Sequence, residues 1–76
     1  MQVRVIDILA DGMAVLQVDG RRRVWTRVRL RKPRLCSATQ RTLPTGSLAY
    51  RPVSNGDDRM LRVSAAVVDG SAESGA

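Results

Sequence analysis

Arg21, Arg23, Arg27, Arg29 and Arg31 fall at alternate positions of one short stretch, with Trp25 among them and Lys32 and Arg34 just beyond. A guanidinium presents a rigid fork of donors that matches the oxygens of phosphate or carboxylate, and it keeps its charge at any physiological pH. On an extended strand, residues two apart lie about 7 Å from each other, a spacing comparable with that of phosphates along a nucleic-acid strand. Trp25 adds a second capability. Stacking of a base on an aromatic ring is worth roughly 1–3 kcal/mol and tolerates any sequence.

The charge around these residues is uneven. Between Arg21 and Arg41 lie nine basic residues (Arg21, Arg22, Arg23, Arg27, Arg29, Arg31, Lys32, Arg34 and Arg41) and no acid, for +9; the other four basic residues and seven acids give −3, for a net charge of +6. A basic stripe on a mildly acidic body is the electrostatic footprint of a polyanion binder. Arg outnumbers Lys twelve to one, so the placement of the arginines says more than their abundance.

Catalysis finds few of its usual parts. The chain has no His, a single Cys (Cys36), and acids confined mainly to turns and the C-terminal stretch, so general acid-base chemistry is not expected. A lone thiol without imidazole or further thiol partners forms neither an internal disulfide nor a Cys-based zinc site, and Cys36 reads as a semi-buried small side chain. At 76 residues the chain builds one modest core, which leaves little room for a deep catalytic cleft. No cofactor and no metal are expected. With no apolar run near the ~20 residues that span a bilayer, and no signal-peptide pattern at the start, the expected location is the cytoplasm, with no membrane partner.

The segments that must position the arginines are strands. Asp11-Gly12 and Asp19-Gly20 are two-residue hairpin signals, since Asp and Gly tolerate the positive φ of a type I′ turn. They divide Gln2 to Ala10, Met13 to Val18 and Arg21 to Arg31 into a three-stranded meander rich in Val, Ile and Leu. Asn55-Gly56 separates Ser47 to Val53 from Arg59 to Val68, a closing hairpin. Lys32 to Gly46, bracketed by Pro33 and Pro44, is the connection, with room for one helical turn around Ser37 to Thr42. The domain is expected to cover residues 1–68, and residues 69–76, poor in apolar groups, to form a frayed tail. Strand parity sorts Val24, Thr26, Val28 and Leu30 to the core and Arg21, Arg23, Trp25, Arg27, Arg29 and Arg31 to the outer face. Tyr50 fits the core with its hydroxyl at the rim, or a second stacking platform; Arg51, Arg59 and Arg62 extend the basic surface if the closing hairpin lies beside the third strand.

Three strands, a connector and two strands suit an all-β, five-stranded OB-like or SH3-like barrel. With Val3 to Val18 as first hairpin, a basic third strand and Gly46 to Val63 as closing hairpin, the chain resembles small OB-fold proteins such as bacterial translation initiation factor one. The resemblance implies an oligonucleotide-binding face on the second and third strands. The apolar strand followed by Gly-Met-Ala-Val and Asp-Gly-Arg-Arg also looks like the small barrel chaperones of hydrogenase maturation, but these need a Cys after the initiator Met, where this chain has Gln2.

The expected function is therefore non-enzymatic nucleic-acid binding, RNA or single-stranded DNA, through Arg21, Arg23, Trp25, Arg27, Arg29, Arg31, Lys32 and Arg34. The alternative is an adaptor or inhibitor, of the kind carried by phages and mobile elements, that docks the same face on an acidic host protein. A third is a subunit that completes its sheet by oligomerising.

Overall fold

A computed structural model describes residues 2–10, 12–54 and 56–74. Asp11 and Asn55 of two expected turns, and residues 75–76 of the expected tail, lie outside the described residues. The chain is mostly β, as expected. Strands β1 (Val3–Ala10), β2 (Met13–Val18), β3 (Arg21–Arg29), β6 (Leu48–Pro52) and β7 (Val63–Ser64) form one antiparallel sheet in the order β1-β2-β3-β6-β7, while β4 (Arg34–Leu35) and β5 (Thr42–Leu43) pair as a small second sheet within the connector. The larger sheet curls into a half-barrel whose edges, β1 and β7, do not meet.

The turn at Asp19-Gly20 forms as its residues dictate, with φ of 50° and 83° in the left-handed region that a two-residue hairpin needs. Asp19 also clamps the start of β1: its N–H donates to the Gln2 carbonyl at 3.0 Å and its carboxylate accepts the Gln2 N–H at 2.9 Å. In place of a helical turn around Ser37 to Thr42, the connector makes a shorter turn closed by the Gln40 N–H donating to the Cys36 carbonyl at 2.8 Å, and Thr42 belongs to β5.

Two expectations need correction. The closing strand spans only Val63–Ser64, preceded by a 3₁₀ turn at Asp57–Met60, and helix α1 (Ala65–Ser74) replaces both the end of that strand and most of the expected tail. Local capping wins over the β-propensity of Val67 and Val68. The Ser64 hydroxyl accepts the Ala66 N–H at 3.2 Å, supplying an orphan donor of the first turn with its partner, and Ala65 and Ala66 are strong helix formers.

The second correction concerns the faces of β3. Trp25 is 1% exposed and sits in the core with Ala14, Leu16, Val18, Tyr50, Val63, Ala65 and Val68, whereas Val24, Thr26 and Val28 are only half-buried on the convex side. Leu30, beyond the strand end, is buried as expected. The concave side of a curled sheet needs one large side chain at its centre. Ala14, directly opposite Trp25 on β2, leaves room for the indole. Removing about 200 Å² of aromatic surface from water is worth about 5 kcal/mol, more than the roughly 1–3 kcal/mol lost because the buried indole N–H has no partner among the described residues. Helix α1 packs on β1, β6 and β7 and so lies across the mouth of the half-barrel. Among the described residues no helix is long and apolar enough to cross a membrane.

Candidate nucleic-acid interface

With Trp25 inside, the arginines of β3 no longer share one outward row with an aromatic platform. Arg21, Arg23 and Arg27 have the parity of Trp25, but they lie toward the rim of the concave side, Arg21 and Arg27 exposed and Arg23 half-buried. Tyr50 is also core, 2% exposed. Burial first, and then the Asp69 carboxylate, push its hydroxyl above the usual phenol value, partly offset by Arg27. Neither aromatic ring is available to stack on a base.

The two ends of β3 differ in their counter-charges. At the N-terminal end a cavity of about 470 Å³ is lined by Val18, Asp19, Arg21, Arg23, Trp25, Asp57, Asp58 and Leu61, a mixture of both signs. Arg23 Nε and Asp58 Oδ2 form an ion pair at 2.6 Å. The Ser54 hydroxyl donates to the other Asp58 oxygen at 2.9 Å. That hydrogen bond first, and Arg23 after it, hold the Asp58 carboxyl below its usual range against the opposing effect of burial.

At the C-terminal end a larger cavity, about 600 Å³, is lined by Val28, Arg29, Leu30, Arg31, Lys32, Arg34, Arg51 and Arg62. Six cations surround an apolar floor, and among the described residues no acid lines it. Four separate pieces of chain build it: the end of β3, the start of the connector, β6, and the residue before β7. Backbone hydrogen bonds lock these together, with the Leu30 N–H donating to the Ser47 carbonyl at 2.9 Å, the Gly46 N–H to the Leu30 carbonyl at 2.8 Å, and the Ser37 N–H to the Arg62 carbonyl at 2.8 Å. Two arginines are aimed by carbonyls: Arg29 Nη1 donates to Gly46 O at 3.1 Å, and Arg62 Nη1 to Arg59 O and Leu61 O at 3.0 and 2.7 Å. Burial first, then the positive charges of Arg34 and Arg51, push the Arg62 guanidinium below its usual value. Such a cluster is held together against its own repulsion, and an anion relieves it.

Of the residues expected at the site, Arg29, Arg31, Lys32 and Arg34 are thus gathered in one cavity. Arg21, Arg23 and Trp25 line the other, and Arg27 lines neither. Arg51 and Arg62 are the members that periodicity alone does not place; only the pairing of Arg51 opposite Thr26 brings β6 beside β3.

Cys36, in the connector, is fully buried, its sulfur accepting the Ser64 N–H at 3.4 Å. Burial is the largest influence and raises the thiol, but the Thr39 hydroxyl and the N–H groups of Ser64, Thr39 and Ala38 outweigh it and leave the thiol below its usual value. Comparison with known protein families, with curated proteins and with solved structures finds no match to this chain.

Proposed function

We propose that the protein is a non-enzymatic nucleic-acid-binding module that holds the phosphate backbone in the cavity at the C-terminal end of β3. What supports this most is the acid-free ring of Arg29, Arg31, Lys32, Arg34, Arg51 and Arg62. Guanidinium groups around an open cavity satisfy phosphate oxygens bidentately, and the apolar floor of Val28 and Leu30 accepts a sugar or base face. With both aromatic rings buried, stacking on tryptophan plays no part. Affinity comes from charge and discrimination among sequences is slight. RNA and single-stranded DNA are the proposed ligands.

The test is the salt dependence of binding to a labelled random oligoribonucleotide, followed by fluorescence anisotropy. Affinity is expected to fall steeply with salt, and the slope of log affinity against log salt to shrink by about 0.7 for each phosphate-binding arginine removed. Absence of binding at low salt sinks the proposal. A nuclease-resistant, stoichiometric complex with an acidic protein in place of oligonucleotide binding would assign the cavity to the alternative partner.

A further inference from the structure

The strand farthest from the basic cavity has a different character. β1 is an edge of the sheet, among the described residues hydrogen-bonded to β2 alone. Edge strands present a row of unpaired N–H and C=O groups, and proteins blunt them with charged residues, Pro, bulges, short length or cover. β1 is eight residues long, VRVIDILA, with neither Lys nor Pro, and Ile6, Ile8 and Leu9 are 37%, 45% and 49% exposed. The opposite edge, β7, has two residues and offers almost nothing to pair with.

The occupant of this edge is not a polyanion. Residues 1–20 carry Arg4 against Asp7, Asp11 and Asp19, for −2; residues 21–76 carry twelve basic residues against four acids, for +8, and the two sum to the net +6. We infer that the occupant is a second copy of this chain, whose β1 pairs antiparallel with the first about a two-fold axis and joins the two half-barrels into one continuous sheet.

Of the two bulges in β1, at Val5/Asp7 and Ile8/Ala10, the first makes the strand its own complement. Against β2, Val5 faces Leu16 and Asp7 faces Val15, so Ile6 is an extra residue; Ile8 then faces Ala14. Counting Val5–Ile6 as one position, Arg4 and Asp7 flank it on the convex side, and Val3 and Ile8 lie on the concave side. A two-fold through Val5–Ile6 sets Arg4 of each copy across from Asp7 of the other, and Val3 across from Ile8. Without the bulge, Arg4 and Asp7 would point to opposite faces and this pairing would vanish. The basic residues do not oppose it. β3 and β6 lie two and three strands from β1, about 10–15 Å within each sheet, beyond the roughly 8 Å screening length of physiological salt. The two-fold uses the same patch on both copies, so association closes at the dimer.

This inference is independent of nucleic-acid binding and is tested on nuclease-treated protein free of nucleic acid. Sedimentation from micromolar to millimolar concentration is expected to show a shift to twice the chain mass. Arg4→Asp turns both charge pairs repulsive and is expected to weaken the dimer about tenfold. The double variant Arg4→Asp/Asp7→Arg is expected to restore it, and Ile8→Lys to abolish it. All three positions are exposed, so circular dichroism should be unchanged. On the wild type, exchange of the β1 amides should slow as concentration rises. A monomer at millimolar concentration, a dimer indifferent to Arg4→Asp and Ile8→Lys, a double variant no tighter than Arg4→Asp, or β1 exchange independent of concentration overturns it.

Discussion

The N-terminal and C-terminal ends of β3 use the same residue type to opposite effect. At the first, Arg21 and Arg23 share a cavity with three aspartates, and Asp58 takes up Arg23. At the second, Arg29, Arg31, Lys32 and Arg34 meet two more arginines and, among the described residues, no acid. A run of like charge along a strand therefore marks a candidate region, and the counter-charges that the fold imports decide which part of it is left with unspent attraction for an anion.

The sharpest test of that contrast is the residue between the two ends. Trp25→Ala is expected to destabilise the fold by about 3–5 kcal/mol, as large-to-small changes of buried aromatics do, seen as a large drop in the thermal midpoint. Trp25→Phe should be much milder, because it also deletes a donor that has no partner among the described residues. Trp25 emission is expected to be blue-shifted and little quenched by added oligonucleotide; red-shifted, strongly quenched emission would return the ring to the binding surface.

Next in size is the C-terminal cavity. Arg34→Glu/Arg51→Glu is expected to lower oligonucleotide affinity at least tenfold, with the salt slope reduced by about 0.7 for each arginine that no longer binds a phosphate, while Arg21→Glu/Arg22→Glu changes it far less. Equal weakening by both pairs in anisotropy titrations would erase the distinction between the ends. Arg62 is the poorer choice for this test, since its guanidinium also ties down two carbonyls.

Smaller still is the effect of Asp58. Its carboxyl is held below the usual range in the folded state, so its contribution to stability is complete above the unfolded carboxylate value of about 3.9 and is lost as pH falls from there through the lower folded value. Asp58→Asn should remove that part of the acid limb of a denaturation curve and, by releasing Arg23, raise oligonucleotide affinity modestly. The smallest effect concerns Cys36: despite its lowered thiol value, burial should keep it unreactive to a thiol reagent in the native state, with labelling at the rate at which the connector opens.

Much of the fold is legible in the residues. Asp19-Gly20 announces its turn, and the three-stranded meander follows from it. The orientation of β3 is legible too, through a signal that hydrophobicity on β3 alone conceals. A two-residue turn at Asp19-Gly20 fixes Val18 opposite Arg21, hence Ala14 opposite Trp25, and Ala14, Leu16 and Val18 form the more apolar row of β2. Taken alone, β3 offers Val24, Thr26, Val28 and Leu30 as the obvious core, because alternation gives two faces without saying which is concave. The helix is harder to see: Val67 and Val68 look like strand, and a single hydroxyl on Ser64 tips the balance. Arg51 and Arg62 join the cavity only through long-range pairing, which local pattern does not encode.

The connector between β3 and β6 supplies half of the cavity's cations, Arg31, Lys32 and Arg34, yet none of the five strands of the main sheet. Loop-closure entropy grows only logarithmically, about 0.6 kcal/mol for each doubling of length. Insertions or deletions around β4 and β5 can therefore reshape the wall of the proposed site while the meander beneath keeps its register. Variation at the proposed site has its place in the exposed turns of the connector, on either side of the buried Cys36 that ties the connector to β7.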